Sequence, residues 1–146
     1  DDIVQDVMIR ALHSVKSLND PALMRPWLRQ ITINQVRMEL RKRKTRRRSE
    51  HQEYVDQRSS DGIQEQELHE QRQLLRAVYA IIDQLPVEER LAFILRRIEG
   101  LPLDDIAEQL ECSLATVKRR LRKAFARFER LAVGNPALRQ LLGEES

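Results

Sequence analysis

Apolar residues return every three or four positions along most of this chain, and nowhere do they alternate in the two-residue rhythm of a strand. The opening run, Asp1 to Leu12, has Ile3, Val7 and Ile9 to Ala11 on one side and Asp2, Gln5, Asp6 and Arg10 on the other. His13 to Asp20 loses the rhythm and reads as a loop. Asp20-Pro21 restarts it, with a capping carboxylate before a proline whose missing amide costs nothing at a helix start. Pro21 to Arg25 is expected as a single turn, followed by a longer helix from Pro26 to about Arg43. Trp27, Leu28, Ile31, Val36 and Leu40 supply its core side, with Thr32, Gln35, Arg37 and Arg41 pointing outward. From Ser49 to Gln66 large apolar residues almost vanish and Ser-Ser-Asp-Gly appears, as in a flexible acidic linker.

The rhythm returns strongly at Glu67 to Gln84, where Leu74, Val78, Ile81, Ile82 and Leu85 share a face. Leu85-Pro86 closes that helix. Glu88 opens the next, with a stripe of Leu91, Ile94, Leu95 and Ile98, and Glu99-Gly100 ends it with the usual left-handed stop. Ile106, Ala107 and Leu110 mark a short helix. Glu111-Cys112-Ser113 interrupts, and Ser113 is placed to cap a longer helix striped by Val117, Leu121, Ala124, Phe125 and Phe128. Gly134-Asn135-Pro136 breaks the chain again before a short helix carrying Leu138, Leu141 and Leu142. The expected fold is all-α: two small helical domains joined by the linker.

The segment from Leu103 to Leu131 therefore predicts two helices joined by a three-residue turn. The second helix carries Lys118, Arg119, Arg120, Arg122, Lys123 and Arg127 off its apolar stripe. Small Ala107 stands where crossing helices must approach closely. Together these features predict a helix-turn-helix, whose second helix enters the DNA major groove.

Composition sharpens this. Formal net charge is only +3, although 34% of the 146 residues are charged, because the charges are segregated. Arg37 to Arg48 holds eight basic residues and one acid; Leu114 to Arg130 holds seven and one; Glu50 to Glu70 holds seven acids and one Arg. Two basic blocks flanking an acidic one predict two nucleic-acid surfaces. The run RKRKTRRR after Leu40 reads as a track for phosphates.

Other chemistry is thin. The lone Cys112 allows no internal disulfide and reads as packing in the turn. His51 and His69 have no partner at ligand spacing, so no metal or other cofactor is expected. No apolar run approaches a membrane span and no signal peptide is visible, which predicts a cytoplasmic protein. No nucleophile–base set, catalytic carboxylate pair or phosphate-cradling glycine loop points to an enzyme.

The order of elements resembles the extracytoplasmic-function (ECF) sigma factors of the sigma-70 family. LPVEERLAFILRRIEGLPLDDIAEQL is similar to the first part of that family's region 4, and ECSLATVKRRLRKAFARFERL to its promoter-reading helix. DDIVQDVMIRAL resembles the region 2.2 helix, and PWLRQITINQVRMELRKRK resembles regions 2.3 and 2.4. The resemblance implies a partial region 2 over residues 1–48 lacking the region 2.1 helix, a linker over 49–66, region 4 over 67–133, and a tail with a short helix over 134–146. It implies a factor that binds core RNA polymerase, directs it to promoter DNA and helps open the −10 element. Asp2, Gln5, Asp6 and Arg10 would meet polymerase. Asn34, Gln35, Arg37, Met38 and Arg41 would lie at the −10 element. Ser113, Thr116, Lys118, Arg119, Arg122 and Lys123 would lie at the −35 element. The loop His13 to Arg25 would capture an unstacked −10 base. Members are commonly held inactive by an anti-sigma protein, which adds a candidate partner.

The chain departs from the family pattern in places. Glu111 stands where the turn usually carries Gly, Pro102 replaces a Ser or Thr cap, Met38 replaces an Asp, and the loop His13 to Arg25 has no aromatic residue. Two other readings compete. A stand-alone helix-turn-helix regulator would need a dimer surface, for which no long heptad is present, and leaves the acidic first helix without a purpose. A recombinase would need a nucleophile in a folded catalytic domain, whereas Tyr54 falls in the linker and Tyr79 on a packing helix.

Overall fold

The computed structural model describes residues 2–47 and 65–143. Among the described residues seven α-helices carry the fold: α1 (Asp2–Ser14), α2 (Met24–Arg47), α3 (Glu65–Gln84), α4 (Val87–Arg97), α5 (Leu103–Leu110), α6 (Leu114–Val133) and α7 (Pro136–Gly143). Two single-turn 3-10 helices, Val15–Ser17 and Pro21–Leu23, connect α1 to α2. There is no strand among the described residues. The linker expected over 49–66 lies outside the described residues as far as 64, and Glu65 and Gln66 already belong to α3.

Local chemistry sets the boundaries. Asp20 Oδ1 accepts from the Ala22 amide at 3.0 Å, and Pro21 begins the 3-10 turn as its fixed φ requires. Pro26 does not interrupt the chain, because α2 has already begun at Met24 and the proline falls in its first turn, where amides lack intrahelical partners. At the α3–α4 corner Arg90 folds back onto the end of α3, donating through NH2 to the carbonyls of Asp83 at 2.5 Å and Leu85 at 2.9 Å. Gly100, at φ +69°, turns the chain out of α4 in the left-handed region that an L side chain resists. Asn135 Oδ1 accepts from Ala137 at 3.0 Å and opens α7.

The two helical domains also pack on one another. Ile33 of α2 is 3% exposed and shares one core cluster with Leu91, Ala92 and Leu95 of α4, Ile106 and Leu110 of α5, and Val117 and Leu121 of α6. Full burial of such a side chain is worth about 1.5–3 kcal/mol. Val36 packs against the same cluster. The expected outward orientation of Gln35 and Arg37 is therefore wrong: Gln35 is 5% exposed and the Arg37 side chain 17%. One face of α2 serves α1, and an adjoining face serves the helix-turn-helix, so its burial is wider than a single amphipathic stripe.

Two further clusters complete the C-terminal half. Ala77 and Ile81 of α3 meet Ala132 of α6 and Leu138 of α7. Ile82, Leu85, Phe93 and Ala124 form the other. Within it Phe93 sits edge-on to Phe125, centroids 5.5 Å apart, and stacks on Phe128 at 5.1 Å, locking α6 to α4. The short α7 thus packs on α3 and α6.

Candidate nucleic-acid interface

The helix-turn-helix is α5, the turn Glu111-Cys112-Ser113 and α6. Leu110 ends α5 because Glu111 adopts φ 54°, ψ 47°, the left-handed conformation that reverses the chain. The Cys112 amide then reaches back to the Ala107 carbonyl at 3.0 Å and the Glu111 amide to Glu108 at 3.2 Å, satisfying carbonyls that the helix end leaves open. Ser113 Oγ accepts from the Thr116 amide at 3.1 Å and starts α6. Its hydroxyl also lies 2.9 Å from Thr116 Oγ1. Two side chains expected at the −35 element thus also build the cap that aims the helix.

Beyond the cap, Lys118, Arg119, Arg122 and Lys123 are exposed, while Val117, Leu121 and Ala124 are buried beneath them. The first three turns of α6 therefore present cations on an open surface. Arg120 does not join them. It is half-buried, with NH1 3.2 Å from Glu88 Oε2 and 3.6 Å from Cys112 Sγ. Arg127 pairs with the buried Glu89 at 3.1 Å, although Oε2 of Glu89 meets no donor at hydrogen-bonding angles. Arg97 lies over the Phe125 ring, 4.7 Å from its centroid. These arginines orient α6, and the exposed four are left for a ligand.

The residues expected at the −10 element are dispersed on α2. Asn34, Met38 and Arg41 are exposed. Gln35 is buried against α1, donating to Asp6 Oδ2 at 3.3 Å, and its Oε1 has no partner among the described residues. Arg37 makes a two-pronged pair with Glu88, Nε to Oε1 at 2.9 Å and NH2 to Oε2 at 2.8 Å, and its NH2 lies 3.4 Å from the Leu110 carbonyl. The Arg37 hydrogen bonds hold the Glu88 carboxyl below its usual range, with further help from the Arg37, Arg120 and Arg41 charges, while partial burial opposes the shift. The hydrogen bond to Glu88 raises Arg37 in turn. Past Leu40, Lys42, Lys44 and Arg46 are exposed, whereas Arg43 meets Glu39 at 3.3 Å.

On α1, Gln5, Asp6 and Arg10 are exposed as expected for a protein-facing surface; Asp2 begins the helix. Sequence reasoning missed an exposed apolar stripe on the same helix. Val4 is 71% exposed, Met8 53% and Leu12 70%, a stripe at four-residue spacing beside the polar residues. The spacing was legible, but the buried side was assigned to Ile3, Val7 and Ile9 to Ala11; Ile9 is in fact 45% exposed. Contiguous exposed apolar side chains on a helix mark a face that packs on something outside the described residues. No group of three metal-binding side chains occurs among the described residues, and no described helix is long and apolar enough to cross a membrane.

With this geometry in hand, comparison with known proteins places the chain. The Sigma-70 region 2 family model matches residues 1–46 and the Sigma-70 region 4 model matches residues 75–128. The chain is 31% identical over 125 residues to RNA polymerase sigma factor SigV of Bacillus subtilis, covering 84% of this chain and 69% of that protein. It is 29% identical to the ECF RNA polymerase sigma-E factor of Haemophilus influenzae over 130 residues, again 84% and 69%. Its fold is similar to that of the sigma factor RpoE of Bartonella quintana, solved in complex with the anti-sigma factor NepR, with a TM-score of 0.67, 24% identity, and coverage of 89% of this chain and 78% of that one. The fold is that of a two-region promoter-recognition factor. The chain belongs to the extracytoplasmic-function RNA polymerase sigma factors of the sigma-70 family.

Proposed function

We propose that this chain directs core RNA polymerase to promoters with a division of labour between its halves, acting in the cytoplasm as a specificity factor without chemistry of its own. The observation that carries the reading is the end of α6: a Ser113-capped helix whose Lys118, Arg119, Arg122 and Lys123 stand exposed above a buried stripe. Such a helix suits the major groove of duplex −35 DNA, where each good two-pronged contact to a base is worth about 1–3 kcal/mol. Asn34, Gln35, Arg37, Met38 and Arg41 of α2 act at the −10 element, which must become single-stranded, with the following basic run tracking its phosphates. The α1 surface of Gln5, Asp6 and Arg10, with the exposed Val4, Met8 and Leu12, meets polymerase. Polymerase supplies the bond-forming chemistry; this chain supplies address and melting. An anti-sigma protein is a further candidate partner, by analogy with the Bartonella quintana factor.

The test is capture of bacterial core polymerase by this chain, followed by run-off transcription on a pooled library of genomic fragments. Capture with transcripts that start below a shared pair of motifs is the expected result. Duplex binding with no polymerase capture would overturn the reading in favour of a stand-alone helix-turn-helix regulator.

A further inference from the structure

The first turn of α6 commits its polar side chains to itself. Ser113 Oγ accepts from the Thr116 amide at 3.1 Å and lies 2.9 Å from Thr116 Oγ1, so both hydroxyls are engaged in the cap. Leu114, 37% exposed, stands three residues before buried Val117 and seven before buried Leu121, at the open end of the core stripe. Ala115 is the remaining side chain of that turn, and it is exposed. It lies four residues before Arg119, seven before Arg122 and eleven before Ala126, all of them exposed. Those intervals return to one side of a helix, so Ala115 leads the cationic face and not the buried one. In a helix-turn-helix the second helix touches base edges with its N-terminal residues, which is where Ala115 stands.

The chemistry of that face leaves A·T pairs without a hydrogen-bonding reader. Arginine and lysine pair with the O6 and N7 acceptors of guanine, whereas adenine is read in two-pronged fashion by Asn or Gln. From Leu114 to Phe125 the helix holds neither Asn nor Gln. Thymine differs from the other bases by the 5-methyl group it projects into the major groove, and an alanine methyl is a small apolar partner for it. Nothing beyond Cβ stands between the helix backbone and the groove at this position, so the first turn can approach the bases closely. We propose that Ala115 is a specificity-determining residue that packs on the 5-methyl group of a thymine in the −35 duplex, close to the base set by Arg119. The inference rests on the reading of α6 as the −35 helix. Residues four apart on a helix face lie about 6 Å from each other and successive base pairs about 3.4 Å, which places the thymine about two steps from the position that depends on Arg119. The cations select guanines, and Ala115 selects an A·T pair beside them.

The test uses the full chain and duplex DNA from which single methyl groups are removed. The best-bound duplex is selected from a random-sequence pool, and Arg119→Ala locates the position that Arg119 sets. Each thymine of that duplex is then replaced in turn by deoxyuridine, which takes away the 5-methyl group and keeps the pairing. Replacement of one thymine close to the Arg119 position should weaken binding about threefold to fivefold, the scale of one methyl group leaving an apolar contact. Ala115→Gly and Ala115→Ser should bind the thymine duplex more weakly by a similar factor and should no longer distinguish it from the deoxyuridine duplex. Circular dichroism checks that both variants keep native helicity, and the serine variant covers the case in which glycine loosens the start of the helix. Deoxyuridine tolerated at every thymine, or a methyl effect that persists undiminished in both variants, overturns the role of Ala115 and leaves the −35 reading standing. A pool from which no duplex is enriched, with uniform weakening in Arg119→Ala, overturns the −35 reading and this inference with it.

Discussion

Asp6 of α1 accepts a hydrogen bond from Gln35 of α2 at 3.3 Å, which ties a side chain assigned to polymerase to one assigned to the promoter. Nearby, Arg10 NH2 lies 4.0 Å from the sulfur of Met38, a second link of the same kind. The two surfaces proposed for the N-terminal half thus meet across one helix seam. A change on either side reaches the other through contacts already made.

Gln35 makes that seam testable. Its Oε1 is buried without a partner, and an unsatisfied buried acceptor costs about 1–3 kcal/mol. Gln35→Leu removes the acceptor at similar volume and should raise the stability of the chain by about 1 kcal/mol, read as a higher urea midpoint at unchanged slope. The same variant should transcribe poorly if Gln35 serves the −10 element. A lower midpoint would show that the Asp6 bond outweighs the buried acceptor.

Arg119 and Arg120 are neighbours with opposite expected phenotypes. Arg119 is exposed, so Arg119→Ala should weaken binding to a preferred −35 duplex by about 1–3 kcal/mol and relax preference at one base position. Uniform weakening across a duplex library would reduce Arg119 to a phosphate contact. Arg120 is bound to Glu88 and Cys112, so Arg120→Ala should lower thermal stability and leave the order of base preferences intact.

At the turn, Glu111 holds a left-handed conformation that costs a non-glycine residue about 1–2 kcal/mol. Glu111→Gly should recover about 1 kcal/mol, discounted for the extra freedom glycine gives the unfolded chain. Removing an acid beside the DNA face should also tighten duplex binding, most clearly at low salt. A fall in melting temperature would show that the Glu111 side chain contributes more than its backbone strain costs.

The Arg37–Glu88 pair has a pH dependence whose sign follows from Glu88. Its carboxyl titrates lower in the folded chain than in the unfolded one, so the folded chain binds fewer protons there. The stabilisation is complete above the ordinary glutamate value of about 4.3 and is lost as pH falls through the lower, folded value. Arg37, held above its ordinary range, remains charged throughout. The difference in urea midpoint between the native chain and Glu88→Gln should be constant from neutrality to about pH 5 and shrink below about pH 4.

The helix-turn-helix was legible because its signals are local. The cap at Ser113, the stripe of Val117, Leu121 and Ala124, and the exposed cations all follow from neighbours within one or two turns. Gln35 and Arg37 were misread for the opposite reason. Their burial depends on what stands across from them, on Asp6 and on Glu88, and neither partner is near in sequence. Ile33 shows the same limit, as its place in the α4–α5–α6 core follows from docking rather than from its own helix. The exposed cations of α6 could be read from the chain alone; the burial of Gln35 and Arg37 required the tertiary contacts.

Helix α6 is twenty residues long, about 30 Å at the usual rise, and its two ends are held very differently. The far half is wedged by Phe125, Phe128 and Ala132 against α3, α4 and α7. The near half seats Val117 and Leu121 in the core shared with α2, α4 and α5 and turns its cations outward. Repacking at either cluster would re-aim Lys118 and Arg119, the side chains proposed to meet DNA, with no change on the exposed face itself.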